Sequence, residues 1–237
     1  MKVLETASSK AWYNEALFLG SMDSCFDPEY WKRIGKIIGS AQGRGITWFV
    51  QTEQMPAALR HYRRGGLFGK IISDTYWFTG WEKTRSFQEF ILLEHLIKQG
   101  VHVPQPIAAR AMKKWCCYQA DILTQKIPNA QDLVKRLQLN SIGPTLYRKI
   151  GQEVKKLHQA NVNHTDLNIH NILVDTNNKV WIIDFDKCYI EKSGNGFSWK
   201  QSNLERLLRS FKKEQVKRQI HWDQESDWQA LQLGYSD

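Results

Sequence analysis

The stretch H-T-D-L-N-I-H-N at residues 164–171, followed by I-I-D-F-D at residues 182–186, decides the fold. The segment between them predicts a β-hairpin, because two short apolar runs flank the turn T-N-N-K at residues 176–179. A hairpin brings its two ends together, so we expect Asn171 and Asp184 to lie side by side. Amide and carboxylate oxygens are ligands that Mg²⁺ prefers. The sequence therefore predicts a magnesium site formed by these two residues.

Asp166 lies in the same loop as the predicted metal site, shortly before Asn171. A carboxylate at this place can accept the proton of an attacking hydroxyl group. An amphipathic helix precedes the loop, and its apolar face carries Leu146, Ile150, Val154 and Leu157. The order of helix, Asp-x4-Asn loop, hairpin and second aspartate matches the catalytic loop and metal-binding aspartate of the protein-kinase-like fold. We therefore expect a phosphotransferase with Asp166 as its catalytic base.

The first half of the chain predicts a small antiparallel sheet that carries one helix. Before residue 36 only a short helix, starting at Asp27-Pro28 and ending at Arg33, has a clear signal. The remaining predicted elements are a hairpin over residues 37–51, strands over 57–62, 114–118 and 121–124, and a helix over 86–100.

The second half predicts mainly helices besides the hairpin. They are a short helix over residues 130–137, the longer amphipathic helix ending near Asn161, and a final helix around residues 204–211. We expect an α+β, two-lobed protein-kinase-like fold with a shortened helical C-terminal lobe. Residues 1–124 form the predicted sheet-rich nucleotide lobe and residues 125–237 the predicted catalytic lobe.

The segment G-R-G-I-T-W at residues 43–48 resembles the glycine-rich loop that covers ATP in kinases. Gly43 and Gly45 match its first two glycines, and Trp48 replaces the third. A lone G-x-G is usually just a turn, so its position in the first hairpin carries the argument.

A-A-L-R at residues 57–60 stands where kinases have a phosphate-binding lysine, with Arg60 in its place. Arginine can bind phosphate through two parallel hydrogen bonds. Glu89 has two interpretations. It pairs with Arg60 from the predicted helix, or it forms a capping box with Ser86.

The composition indicates a folded protein that attracts anions. The chain has 33 Lys and Arg against 24 Asp and Glu, a net charge of +9, and 42% of its residues are hydrophobic. Nucleic acid, an anionic membrane surface and a phosphorylated or carboxylated small substrate all fit this charge. The run R-H-Y-R-R-G-G at residues 60–66 is either an anion-binding segment or a basic hairpin end.

No apolar run reaches the length of a transmembrane helix, and the N-terminus lacks the apolar stretch of a signal peptide. The four cysteines form no C-x-x-C pair, which favours reduced thiols. We therefore expect a soluble protein that stays in the cytoplasm.

The chain departs from protein kinases in ways that limit its substrate. D-F-D at residues 184–186 replaces D-F-G, and the chain beyond Asp186 is too short for an activation segment plus peptide-docking helices. The acceptor is therefore expected to be small, or at least not a protein segment. Asp186 is either a second metal contact or a hairpin cap.

Three groups of segments resemble the bacterial lipopolysaccharide core kinases, and the likeness extends from about residue 39 to residue 211. They are L-R-H-Y-R-R-G-G at 59–66, F-Q-E-F at 87–90 with P-Q-P at 104–106, and the loop at 164–171. The resemblance implies phosphorylation of a sugar hydroxyl by ATP and Mg²⁺ at the cytoplasmic face of the inner membrane. It further implies that the acceptor is the 4-hydroxyl of 3-deoxy-D-manno-octulosonic acid (Kdo) on the lipid A precursor Kdo-lipid IVA.

The same resemblance implies roles for individual residues. Asp166 would be the base, Asn171 and Asp184 would bind magnesium, and Gly43, Gly45, Arg60 and Glu89 would bind ATP. Arg63, Arg64 and Lys70 either bind the anionic groups of such an acceptor or belong to a solvated basic loop. The enzyme would be a peripheral protein on the anionic inner-membrane surface.

Two alternative functions remain open from the sequence. One is another kinase of the same fold, acting on a core heptose, an aminoglycoside or a protein. The other is a basic pseudokinase or nucleic-acid-binding module, although no nucleic-acid-binding motif is present and we expect no nucleic-acid partner. The oligomeric state also remains open.

Overall fold

The computed structural model describes six stretches of the chain: residues 1–18, 20–22, 24–43, 45–64, 74–192 and 198–237. The chain divides into two compact units. The first comprises residues 1–94 and 105–127, and the second comprises residues 95–104 and 128–237.

The first unit is built on an antiparallel sheet of eight strands in the described residues. These strands are β1 (Lys2–Glu5), β2 (Ser9–Tyr13), β3 (Ile37–Gln42), β4 (Ile46–Gln51), β5 (Pro56–His61), β6 (Tyr76–Trp77), β7 (Pro106–Lys114) and β8 (Cys117–Gln125). Their spatial order is β1-β2-β7-β8-β5-β4-β3, and β6 pairs with β8.

The two faces of this sheet are covered by different segments. Helix α2 (Arg85–Lys98) packs on one face, where the Phe87 and Trp12 rings lie 4.8 Å apart. Helix α1 (Pro28–Arg33) and the residues before it cover the other face, and Asp27 caps this helix by accepting from the Glu29 amide. The buried side chains on that face are Phe18, Cys25, Phe26, Trp31, Val50, Ala57, Leu59, Ile107, Ala108 and Leu123.

The second unit is mainly helical. Its helices are α3 (Leu133–Leu139), α4 (Pro144–Gln159), α5 (Ser198–Arg218) and α6 (Ser226–Ser236). Its short strands are β9 (Gln131–Asp132), β10 (Val162–Asn163), β11 (Ile172–Val174), β12 (Val180–Ile182) and β13 (Tyr189–Ile190).

Helices α4 and α6 touch through their backbones at two glycines. A Cβ atom placed on Gly151 would lie 2.0 Å from the Leu231 carbonyl oxygen, and one on Gly234 would lie 2.1 Å from the Arg148 carbonyl oxygen. Both distances are far shorter than a van der Waals contact, so this crossing requires glycine at both positions.

The α+β prediction is confirmed, and so are helix α1, the β3–β4 and β11–β12 hairpins and the long helices α2 and α4. The predicted strand at 114–118 is wrong, because it spans the turn at Trp115 and Cys116 that joins β7 to β8. Strands β1 and β2 had no sequence signal, and the helix predicted as the last is followed by α6.

Within the described residues, every helix is either too short or too polar to cross a lipid bilayer.

Candidate active site

The β11–β12 hairpin holds Asn171 and Asp184 at the same end. Ile172 pairs with Ile182 in the register, and the Ile183 amide donates to the Asn171 carbonyl oxygen at 3.0 Å. Asp184 follows directly after this last hydrogen bond. The structure therefore brings the two predicted metal ligands to one place, as the hairpin argument expects.

The loop before the hairpin fixes the backbone of Asp166. The side-chain amides of Asn168 and Asn171 both donate to the Asp166 carbonyl oxygen, each at 2.9 Å. The next residue, Leu167, is completely buried, whereas the Asp166 side chain is exposed. A rigid loop thus presents this carboxylate to the solvent.

Asp184 has a backbone conformation that few non-glycine residues adopt. Its φ is +64°, in the left-handed region, and its side chain is exposed. Such a conformation costs on the order of 1–3 kcal/mol and is concentrated at functional sites.

The residues at the hairpin end fit a magnesium ion. The Asn171 amide nitrogen is engaged with Asp166, so its oxygen is the atom suited to a cation. Together with the Asp184 carboxylate it gives the hard oxygen ligands that Mg²⁺ requires. No cluster of three His, Cys, Asp or Glu side chains with metal-binding geometry occurs in the described residues. Two protein ligands nevertheless suit Mg²⁺, which commonly takes its other ligands from water and phosphate.

His164 connects the loop to the strand that precedes Asp184. The ring is completely buried, its Nε2 lies 3.1 Å from the Ile183 carbonyl oxygen, and it packs edge-on against Phe185 with centroids 4.9 Å apart. Burial lowers the pKa of His164, so the imidazole is neutral and Nε2 carries the proton that it donates. Sequence analysis assigned this residue no role.

Helix α5 supports the loop through three polar side chains that the sequence analysis also missed. Asn203 accepts from the His164 amide at 3.1 Å, and Ser210 accepts from the Ile169 amide at 3.0 Å. Glu214 lies 3.3 Å from the His170 ring. Their signal was present in the sequence, because they recur at helical spacing on the face that buries Leu207 and Phe211.

In the first unit, Arg60 and Glu89 form a largely buried ion pair. The Arg60 Nη2 atom lies 2.5 and 2.6 Å from the two carboxylate oxygens of Glu89, which is 5% exposed. Tyr62 donates its hydroxyl to the same carboxylate at 2.5 Å. Ser86 instead donates to the Arg110 carbonyl oxygen, so the capping-box interpretation is wrong.

Gly43 and Gly45 lie in the turn between β3 and β4, where the Gly43 amide donates to the Gly45 carbonyl oxygen at 2.9 Å. Arg63 packs against this turn, because a Cβ atom on Gly45 would lie 2.8 Å from its Cδ atom. Arg63 also lines a cavity of about 650 Å³. Arg64 is exposed, with its guanidinium 5.2 Å from the Tyr76 ring centroid.

Gly65 and Gly66 of the run at residues 60–66, and the candidate anion-binding residue Lys70, lie outside the described residues.

An antiparallel sheet unit with an Arg–Glu pair, joined in one chain to a helical unit with this loop and hairpin, is typical of protein-kinase-like phosphotransferases. The model of the Lipopolysaccharide kinase (Kdo/WaaP) family matches residues 28–235. The chain therefore belongs to that family.

Its relatives include several proteins named 3-deoxy-D-manno-octulosonic acid kinase. The chain is 58% identical to the one from Vibrio cholerae over 226 residues, which cover 95% of each chain. It is 60% identical to that of Vibrio parahaemolyticus over 220 residues, 93% of this chain and 91% of the relative. It is 49% identical to that of Haemophilus influenzae over 218 residues, 89% of each.

Proposed function

We propose that this protein transfers the γ-phosphoryl group of ATP to the 4-hydroxyl of Kdo on Kdo-lipid IVA or a closely related lipopolysaccharide precursor. The observation that carries the reaction is that Asn171 joins Asp166 and Asp184. Its side-chain amide donates to the Asp166 main-chain oxygen. Its own main-chain oxygen accepts from the amide of Ile183, the residue before Asp184. The identity of 49–60% to Kdo kinases supports the choice of acceptor.

Asp166 acts as the general base in this proposal. Its exposed carboxylate accepts the proton of the acceptor hydroxyl while the hydroxyl oxygen bonds to the γ-phosphorus. The bond from that phosphorus to the bridging oxygen breaks, and ADP leaves. The two asparagine hydrogen bonds keep Asp166 in position, so little reorganisation is needed during the reaction.

Asn171 and Asp184 would hold Mg²⁺. When bound, the ion neutralises charge on the phosphate oxygens. Gly43 and Gly45 would bring backbone close to ATP, and Arg60 would bind its phosphates, with Glu89 fixing the guanidinium. In this proposal, residues 1–124 form the nucleotide lobe and residues 125–237 form the catalytic lobe.

The acceptor carries a carboxylate on Kdo and phosphates on lipid A, which suits a basic protein. Arg63, Arg64 and Lys70 would bind these anionic groups. Because the acceptor is anchored in lipid, the enzyme would work as a peripheral protein at the cytoplasmic face of the inner membrane. A net charge of +9 favours attachment to that anionic surface.

The test is phosphoryl transfer from labelled ATP to a panel of acceptors by the wild type and Asp166→Ala. The panel holds Kdo-lipid IVA, a core heptose compound, a peptide and an aminoglycoside. We expect labelling of the Kdo compound at its 4-hydroxyl, with the variant slower by about 10²–10⁴-fold because its base is missing. Both proteins should bind ATP equally, since Asp166 acts on the acceptor.

Preferential labelling of another acceptor would replace the proposed substrate but keep the class of reaction. A variant with more than about half of the wild-type rate would remove Asp166 from the mechanism.

A further inference from the structure

Trp115 occupies a position that does not favour tryptophan. It begins the two-residue turn between β7 and β8, its φ is +59°, and 87% of its surface is exposed. Bulky residues rarely adopt this left-handed conformation, in which glycine and asparagine are common. Packing inside the protein therefore does not account for a tryptophan here.

A second exposed tryptophan lies beside the first. Trp77 in β6 pairs with Cys117, which pairs with Lys114, so all three side chains lie on one face of the sheet. Trp77 is 66% exposed. Neighbouring strands are about 5 Å apart, which places Trp77 and Lys114 roughly 10 Å from each other. Lys113 pairs with Tyr118, so its side chain lies on the opposite face of the same hairpin end. We call Trp77, Lys113, Lys114 and Trp115 the tryptophan tip.

The tryptophan tip is basic and contains no acid. Residues 75–81 and 111–118 include two lysines and not one Asp or Glu. Lys113 and Lys114 are both exposed, and neither forms an ion pair with any described residue. Lys113 lies 4.8 Å from the centroid of the Phe78 ring. Exposed indole rings beside unpaired ammonium groups are the combination that suits the headgroup region of an anionic bilayer.

We propose that the tryptophan tip docks on an anionic lipid bilayer, with the indole rings at the headgroup level and the lysines against the lipid phosphates. The inference rests on the proposed membrane-bound acceptor and names the surface that reaches it. A second copy of the chain fits less well, because a symmetric contact would bring four lysines together.

The test compares flotation with vesicles of phosphatidylglycerol and phosphatidylcholine for the wild type and Trp77→Thr/Trp115→Asn. Threonine suits a strand and asparagine suits the left-handed turn, so the variant should fold with an unchanged or higher Tm. Its affinity for the vesicles should fall at least about tenfold, because apolar contact with the lipid is lost. Val216→Ala, which trims an 85% exposed side chain in α5, is the matched control and should bind like the wild type.

A second pair of variants separates local from total charge. Lys113→Gln/Lys114→Gln should weaken binding about 30-fold, from roughly fivefold for each basic residue at the surface. Lys212→Gln/Lys213→Gln removes the same charge from the exposed surface of α5 and should change binding far less. Wild-type binding should be lost in molar salt.

The outcomes distinguish this inference from the proposed function. A wild type that ignores anionic vesicles at low salt overturns membrane attachment itself. If the tryptophan variant binds the vesicles as tightly as the wild type, the tryptophan tip is not the docking surface, although membrane attachment itself stands. The same conclusion follows if the wild type is a dimer and the tryptophan variant is a monomer. Transfer to an acceptor dispersed in detergent should be unchanged in the variant. Its loss would assign the two tryptophans to the acceptor site instead.

Discussion

Asp184 shows how a single residue can be placed for chemistry at the expense of stability. Its left-handed backbone would be less strained with glycine, and its exposed side chain gains little from packing. A carboxylate at the end of the hairpin is useful if it binds a cation there. Cation binding would then explain both the strained backbone of Asp184 and its exposed charge.

We expect Asp184→Asn to keep the fold and to lose magnesium-dependent nucleotide binding. Asparagine tolerates the left-handed conformation, but the amide removes the charge of one proposed metal ligand. Nucleotide affinity measured with and without Mg²⁺ gives the result. Glu53→Gln, which removes an exposed charge elsewhere, should behave like the wild type. An Asp184→Asn protein that keeps the normal metal dependence would show that the ligand assignment is wrong.

At the scale of elements, helix α5 supports the loop that carries Asp166. Asn203 is 1% exposed, and besides the His164 amide it contacts Asn163 and the Trp199 carbonyl oxygen, each at 2.9 Å. Such a buried and fully bonded amide holds two segments in one relative position.

Asn203→Leu should therefore lower kcat by about tenfold or more and leave the KM for ATP nearly unchanged, because the loop that carries Asp166 loses its anchor. Stability should fall by about 1–3 kcal/mol, since the His164 amide is left without its acceptor. Gln201→Leu, on the exposed side of the same helix, is the control. Equal loss of kcat in both variants would contradict a positioning role for Asn203.

The crossing of α4 and α6 makes a sharper prediction for stability. Gly151→Ala should destabilise the protein by about 3 kcal/mol or more, because its Cβ atom would overlap the Leu231 carbonyl oxygen and force the helices apart. Gly143→Ala, with no atom within 4 Å of its Cβ position, should change stability by less than about 1 kcal/mol. Urea unfolding of both variants measures the difference. Similar midpoints would mean that α6 does not pack as described.

The sequence predicts a helix or strand correctly where the residues of that element themselves carry a turn motif or an apolar periodicity. The β11–β12 hairpin has an N-N turn, and α4 has an apolar face at helical spacing. Strand β7 was misplaced because A-A-R-A has weak strand propensity and W-C is not a turn signal. Strand β2 pairs with β7, which is almost 100 residues away, so its neighbours in the sequence carry no trace of it.

The residues of the candidate site likewise fall into those that the sequence predicts and those whose contacts need the fold. Asp166, Asn171 and Asp184 could be predicted because one loop and one hairpin contain them all. The pairing of Arg60 with Glu89 needed the fold, since Glu89 also fitted a capping box with Ser86. Helical spacing places Asn203 on the buried face of its helix, but its partner, the His164 amide, is 39 residues away and could not be predicted from that spacing.

At the scale of the whole molecule, buried histidines make stability depend on pH. His158 is 1% exposed and its Nδ1 lies 2.8 Å from the Tyr235 hydroxyl. Burial, and then the charge of Lys200, lowers the pKa of His158 from 6.5 to about 4. The unfolded chain therefore binds a proton in a range where the folded protein does not.

His158 makes its full contribution to the unfolding free energy above pH 6.5. This contribution should be lost progressively as the pH falls towards about 4. The unfolding free energy lost over this range is roughly 3 kcal/mol, because each unit of difference in pKa is worth about 1.4 kcal/mol. Chemical unfolding of the wild type and His158→Gln from pH 7 to pH 4.5 checks this. The difference in unfolding free energy between them should narrow as the pH falls, and a constant difference would contradict it.

The turn at Trp115 also places a reactive handle on the folded protein. Cys116 follows it and is exposed, whereas Cys25 and Cys188 are buried. Partial burial and the neighbouring Cys116 thiol raise the pKa of Cys117, so that residue forms less of the thiolate that reacts. A maleimide dye should therefore label Cys116 first in the native chain. An environment-sensitive dye attached there would report contact with lipid as a change in colour, with no cysteine engineered into the protein.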